Sequence, residues 1–258
     1  MKQRIKAVLQ IVFRPLAGRL GYTKVVPVNT QNPYGKNELL GNFFSILQKV
    51  NFDPVHIVDV GANHGTWTRE TLKNFPDSYY TLLEPQSQME ESIKDILSSN
   101  SKVKFYGVGA GKENGTFKFT IVDRDDSCSF SYTEGEAAKL GFKQVEIPVV
   151  TLNDFLADKD LPLPGIIKID AEGLDLEVLA GANNYFGKTE VFMVEAGVAN
   201  KFFNNSVLKM IIFMDQQGYR FFDITDLNRT VKHKALWLVE MVFVKKDGLI
   251  DNAINSYS

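Results

Sequence analysis

Three acids that close apolar runs are the residues of this chain best equipped for chemistry. Asp170 and Glu172 stand in Ile166-Ile167-Lys168-Ile169-Asp170-Ala171-Glu172-Gly173, and Glu195 ends Val191-Phe192-Met193-Val194-Glu195. Acids at the carboxyl ends of strands in an open α/β sheet reach the crevice where such sheets bind ligands. There a carboxylate can take a proton from a reacting hydroxyl, or several can hold a divalent ion that acidifies it. Glu172 and Asp175 also have a plainer reading, as acids that complement the dipole of a following helix. Asp170, on the strand tip itself, fits that reading less well. Of the three histidines, His56 and His233 are scattered, and His64 alone lies near the expected chemistry, as a weaker acid–base candidate.

A second constellation precedes these acids. The run His56 to Val60 reads as a buried strand that breaks into Gly61-Ala62-Asn63-His64-Gly65 and then a helix from Thr66. Dinucleotide-binding loops carry three glycines as G-x-G-x-x-G so that pyrophosphate can sit on the helix N-terminus. Here the glycines are four apart, with Asp59 at the strand end and Asn63 in the loop, a set better suited to a cationic amino-acid ligand such as S-adenosylmethionine. Gly61 and Gly65 are expected to let the backbone turn and approach that ligand. The next strand pattern, Tyr79 to Glu84, again ends in an acid, and a carboxylate there can accept hydrogen bonds from both ribose hydroxyls.

The elements that must position these residues alternate. Apolar spacing predicts a helix over Leu39 to Val50, then strand Ile57 to Gly61, helix Thr66 to Asn74, strand Tyr79 to Glu84, helix Ser87 to Ser98 and strand Val103 to Val108. The pattern resumes with strand Ile166 to Asp170, helix Asp175 to Asn184, strand Val191 to Glu195 and helix Ser206 to Gln217. Tyr219 to Ile224 and Leu236 to Val244 close the chain as an expected antiparallel edge pair. Such alternation argues for a doubly wound parallel sheet with right-handed crossovers. Between the two halves, Thr116 to Val122 and Val145 to Val149 read as extra strands. They flank a polar loop at 123–130 and a short helix near Ala137, an insertion placed to act as a lid. Its aspartates lack the glycine and terminal glutamate of a calcium loop.

Composition bounds the function. With 258 residues, 44% hydrophobic and 23% charged, the chain can bury one sizeable core. Its only cysteine, Cys128, forms no internal disulfide, which fits a reducing cytosol. Residues 1–37 hold seven Lys and Arg and no acid, whereas 38–258 hold 22 basic and 31 acidic residues. The head is therefore read as a basic N-terminal extension and the remainder as one domain. Ile5, Val8, Leu9, Val12 and Leu16 recur at helical spacing up to Pro15 and beyond, too short a stretch to span a bilayer. This amphipathic helix either docks on the domain or lies on an anionic membrane through residues 2–20, at the inner face of the membrane. An acidic body disfavours nucleic acid as a partner. Asn32-Pro33-Tyr34 resembles a motif of amino-methyltransferases but precedes the first core strand and is read as a turn.

VDVGANHGTWT at 58–68, LLEP at 82–85, IKIDAEGLDLEVLAGA at 167–182 and VFMVEAG at 191–197 together resemble the FkbM family of S-adenosylmethionine-dependent methyltransferases. The glycine loop is shared with many class I methyltransferases, and the KIDAEG stretch is the more specific part. The resemblance implies a Rossmann-like, mostly parallel seven-stranded sheet with an antiparallel last strand. It also implies O-methylation of sugars, glycolipids, polyketides or related small hydroxylated metabolites. Carried over by position, Asp59, Gly61, Ala62, Asn63 and Gly65 would surround the methionine moiety, Glu84 would hold the ribose, and Val108 and Gly109 would lie near adenine. Asp170, Glu172 and, more weakly, His64 are the candidate bases, and Asp170, Glu172 and Glu195 the ligands if a metal takes part. A nicotinamide-dependent oxidoreductase and an inactive cofactor-binding scaffold are the competing readings. Oligomeric state is left open.

Overall fold

A computed structural model describes residues 36–122, 128–200 and 203–254. The expected membrane-facing segment 2–20, the Asn32-Pro33-Tyr34 turn and residues 123–127 of the polar loop lie outside them.

The alternating pattern folds as helix α1 (Lys36–Lys49), strand β1 (His56–Val60), α2 (Thr66–Asn74), β2 (Tyr79–Leu83), α3 (Lys94–Ser99) and β3 (Val103–Tyr106). After it come β4 (Gly109–Ala110), β5 (Gly115–Ile121), α4 (Glu134–Leu140), β6 (Lys143–Val150) and α5 (Leu152–Ala157). The second half holds β7 (Ile166–Ile169), α6 (Asp175–Ala180), β8 (Val191–Gly197), α7 (Val207–Gln216), β9 (Tyr219–Arg229), β10 (Leu236–Lys245) and α8 (Leu249–Ala253). Seven strands form one sheet in the order β3-β2-β1-β7-β8-β10-β9, and β10 runs antiparallel to both neighbours. The last two strands thus form the expected antiparallel edge pair, with β10 against β8 and β9 outermost.

Period-two alternation sorts the central strands onto two cores, as expected for strands covered on both faces. Ile57, Leu82, Ile166, Met193 and Val242 pack with Phe43, Phe44 and Leu47 of α1. Val58, Ile167, Phe192, Val194 and Phe243 pack with Met210 and Met214 of α7. Asp59 and Lys168 fall on the α1 side of this alternation, as do Glu240 and the Thr68 hydroxyl that bonds Asp59.

Several boundaries differ from the sequence pattern, the largest being that of β9, which runs on to Arg229 where Ile224 was expected. The expected helix Ser87 to Ser98 opens as a 3-10 segment, Ser87–Ile93, before α3. The helix after β7 stops at Ala180 and is followed by a 3-10 turn, Asn183–Tyr185, with Gly181 between them packed too close to the Gly111 carbonyl to admit a Cβ. The third strand ends at Tyr106, where the Val108 N–H bonds back to the Tyr106 carbonyl at 2.9 Å. Gly109–Ala110 then leaves the main sheet and pairs in parallel with β6 in a separate sheet of order β4-β6-β5. Within this insertion, Thr133 and Glu136 form a capping box that starts α4.

Candidate active site

The strand-to-helix loop after β1 is fixed from its neighbours. Gly61 and Ala62 donate backbone N–H bonds to the Leu83 carbonyl, at 2.9 and 3.2 Å, so the loop is stitched to the end of β2. Gly61, Asn63 and Gly65 have φ of 75°, 44° and 70°, which explains two glycines and an asparagine at these positions. The missing Cβ of Gly61 makes room for the Asp170 carbonyl oxygen, and that of Gly65 for the Ile93 side chain. The glycines therefore permit close packing of protein on protein, and Gly61 also lines the cleft. Ala62 is buried beneath the loop.

Glu84 is the strand-end acid of β2 and is 3% exposed. Its Oε2 accepts from the Asn63 N–H and its Oε1 from the Gln86 N–H, both at 2.9 Å. Burial pushes its carboxyl up, and the two backbone donors oppose that shift. The Gln86 side chain also donates to this carboxylate, which keeps capacity for a further donor, and Glu84 lines a cleft with Gly61, Asn63, Val108, Asp170 and Glu172.

Asp59 does not reach that cleft. It is fully buried, its Oδ2 accepts from the Thr68 hydroxyl at 2.6 Å, and its Oδ1 lies 3.3 Å from the Lys168 ammonium without hydrogen-bond alignment. The same ammonium donates to the Gly61 carbonyl at 3.2 Å and to Asp170 Oδ2 at 3.3 Å. Burial alone would depress Lys168, but Asp59, Asp170 and Glu240 outweigh it, so its pKa is raised and the side chain is charged. One cation thereby joins the loop to the acidic strand end.

Beyond β7 the chain turns sharply: Glu172 has φ 49° and Gly173 φ 95°. Asp175 moulds the turn, its Oδ1 accepting from the Ala171 N–H at 3.0 Å and its Oδ2 from the Gly173 N–H at 3.2 Å. Asn205 locks it by donating to Asp175 Oδ2 at 2.7 Å and to the Glu195 carbonyl at 2.9 Å. Burial pushes Asp175 up to about 7. Asp170 has 40% of its side chain exposed and faces the cleft, as does Glu172. Glu195 is 9% exposed, behind them, and its carboxyl is raised by burial first and then by Asp170, Asp175 and Glu172.

A second cavity of about 700 Å³ adjoins the cleft, walled by Phe130, Tyr132, Glu172, Asn200, Phe203 and Trp237. Phe130 and Glu172 belong to both walls. Cys128, buried with its thiol against the Val122 backbone, also lines the cleft. Val108 lines it too, whereas Gly109 packs against the Phe130 ring and starts β4.

His64 is exposed and its Nδ1 lies 2.9 Å from the Ser92 hydroxyl, on the outer side of the loop and not among the residues that line the cleft. Among the described residues no group of three or more His, Cys, Asp and Glu is arranged to hold a metal. The sequence reading also missed Lys168, Asp175 and Asn205 as organisers of the site. A lysine inside an Ile-Ile-Lys-Ile strand was the available signal, since buried charge requires a partner.

A family model described as a methyltransferase FkbM domain matches residues 59–221. A curated relative from Beauveria bassiana (strain ARSEF 2860), called Methyltransferase 1, is 26% identical over 151 residues, which cover 51% of this chain and 60% of that protein. The match thus spans about three fifths of the relative's length. Among solved structures, methyltransferase FkbM from Methylobacillus flagellatus KT aligns with a TM-score of 0.48 at 17% identity, over 72% of this chain and 43% of its own. A precorrin-6y C5,15-methyltransferase from Geobacter metallireducens GS-15 aligns with a TM-score of 0.44 at 16% identity, over 78% and 86%.

Proposed function

Because the chain belongs to the FkbM methyltransferase family, we propose that it transfers a methyl group from S-adenosylmethionine to a hydroxyl of a sugar, glycolipid or related small metabolite. The observation that carries this reading is that Glu84 and Asp170 stand on the walls of one cleft, with the Gly61–Asn63 loop between them. When bound, the cofactor supplies a methyl already activated on a sulfonium.

The residues fit that cofactor. Glu84, anchored by two backbone donors, offers its remaining lone pairs to the ribose hydroxyls. Gly61 and Asn63 wall the end that would take the methionine moiety, and Val108 the apolar end that would take adenine. Asp59, Ala62 and Gly65 act from behind, by shaping the loop. The acceptor enters from the larger cavity, whose aromatic side chains and Glu172 border the cleft.

Catalysis then rests on alignment and one proton. Holding the acceptor oxygen in line with the methyl and the sulfur is the dominant contribution. With the cofactor and acceptor bound, the Asp170 carboxylate would take the proton of the acceptor hydroxyl, with Glu172 the next candidate. Calorimetric titration with S-adenosylmethionine and with NAD, followed by a methyl-transfer screen across sugars, glycolipids and small hydroxylated metabolites, tests the reading. Binding of NAD without S-adenosylmethionine overturns it.

A further inference from the structure

The connection between β9 and β10 is built as a rigid cationic tip. Thr230 and Ala235 close it through a backbone bond of 2.9 Å, Lys234 N–H returns to the Thr230 carbonyl at 3.0 Å, and Ala235 N–H bonds the Thr230 hydroxyl at 3.1 Å. The Arg229 guanidinium donates to the Lys234 carbonyl at 3.0 Å, and Lys234 itself holds φ 57°. These bonds order the backbone and leave the side chains at the apex outward.

What they present is out of keeping with the rest of the domain. From Leu227 to Val239 the chain carries Arg229, Lys232 and Lys234, with His233 between the lysines, and no acid, although residues 38–258 hold 22 basic against 31 acidic residues. Among the described residues no carboxylate forms an ion pair with any of these three cations. At the apex Val231 is 88% exposed, more than any other large hydrophobic residue described. Solvated cations around a bare aliphatic tip match a surface whose outer layer is anionic and whose next layer is apolar. A nucleic-acid strand would instead call for broad stacking side chains, and no Phe, Tyr or Trp occurs from Leu227 to Leu236.

Position gives this tip a use. β9 runs parallel to β8, because both are antiparallel to β10, so the hairpin projects from the sheet edge that also bears Asp170 and Glu195. Trp237, two residues beyond Ala235, walls the large cavity beside the cleft. We propose that the 229–235 hairpin docks the protein on an anionic lipid bilayer, with Val231 entering the headgroup layer and Arg229, Lys232 and Lys234 facing lipid phosphates. The cavity mouth then lies beside the membrane surface. This inference does not depend on the methyl-transfer reading, since lipid binding is measured without cofactor or acceptor.

The test is flotation of the full chain with vesicles of phosphatidylcholine alone or mixed with phosphatidylglycerol, at low salt. The expected result is binding to the mixed vesicles only, weakened on the order of tenfold or more by Lys232→Glu with Lys234→Glu, as two surface cations of ordinary strength predict. Val231→Asp should weaken it as well, with thermal midpoints unchanged because all three side chains are exposed. Inorganic phosphate at millimolar level should not displace the protein. Three results overturn the proposal: no binding to the mixed vesicles, binding by the hairpin variants equal to the parent, or displacement by free phosphate. Preferential capture of the parent by a single-stranded oligonucleotide over the mixed vesicles, lost in the same variants, also overturns it.

Discussion

Lys168 stands opposite Asp59 in the parallel register of β7 and β1, its ammonium 3.3 Å from Asp59 Oδ1 and equally 3.3 Å from Asp170 Oδ2. Removing one member of a buried pair strands the other charge, at a cost of about 3–5 kcal/mol. Lys168→Met should therefore lower the unfolding free energy by that order in denaturant titration. Asp59→Asn added to it removes the stranded charge and should recover most of the loss. A double variant no more stable than Lys168→Met would show that packing around the methionine, and not charge, sets the penalty.

Glu84→Gln tests the donor side. The amide keeps one acceptor but turns its NH₂ toward a backbone N–H that now bonds the carboxylate. A hydrogen bond to a charged group is worth about 1.5–3 kcal/mol. Affinity for S-adenosylmethionine should fall by about tenfold or more in calorimetry, and unchanged affinity would remove Glu84 from the ribose.

Asp170→Asn separates binding from proton transfer. A positioned base contributes about 10²–10⁴-fold, so turnover at saturating donor should drop within that range while donor affinity shifts only a few-fold. If Asp170→Asn keeps its turnover and Glu172→Gln loses it, the proton goes to Glu172.

Glu240, on β10, predicts a pH dependence of stability. Burial pushes its carboxyl up to about 7, against the pull of Lys168 and the Thr225 hydroxyl, which donates to it. Between pH 4.5 and 7 the folded chain keeps a proton that the unfolded chain has lost, so this group's contribution falls as pH rises through that window and is constant outside it. Glu240→Gln retains an oxygen acceptor for Thr225 and removes the titration. Thermal midpoints recorded from pH 4.5 to 7.5 should decline less steeply in the variant, by up to about 3 kcal/mol across the window. Parallel curves would rule out Glu240 as a source of the slope.

The succession of the main strands was legible because each is dominated by β-branched, aliphatic and aromatic residues, and α2 was read with both ends correct since its pattern lies between a glycine loop and Phe75-Pro76. The helices α5 and α8, of six and five residues, are too short for a periodic signal and were not anticipated. The exit of Gly109–Ala110 to a second sheet depends on a distant strand, Lys143–Val150, and has no local mark. At the site, residue types pointed to Asp170, Glu172 and Glu84, which face the cleft. Which acids turn inward is decided by partners far along the chain: Asp59 by Lys168, and Asp175 by Asn205. Spacing within one segment holds no information about such contacts.

The close fit of Gly61 beneath the Asp170 carbonyl makes the two halves of the site mechanically inseparable. A methyl group added at position 61 would not intrude on the cleft; it would push β7 away from β1 at the point where the acid is aimed. Gly61→Ala is therefore expected to behave as an acid-displacement lesion, and it would mislead anyone who classed it as a cofactor-contact defect from its place in a glycine motif.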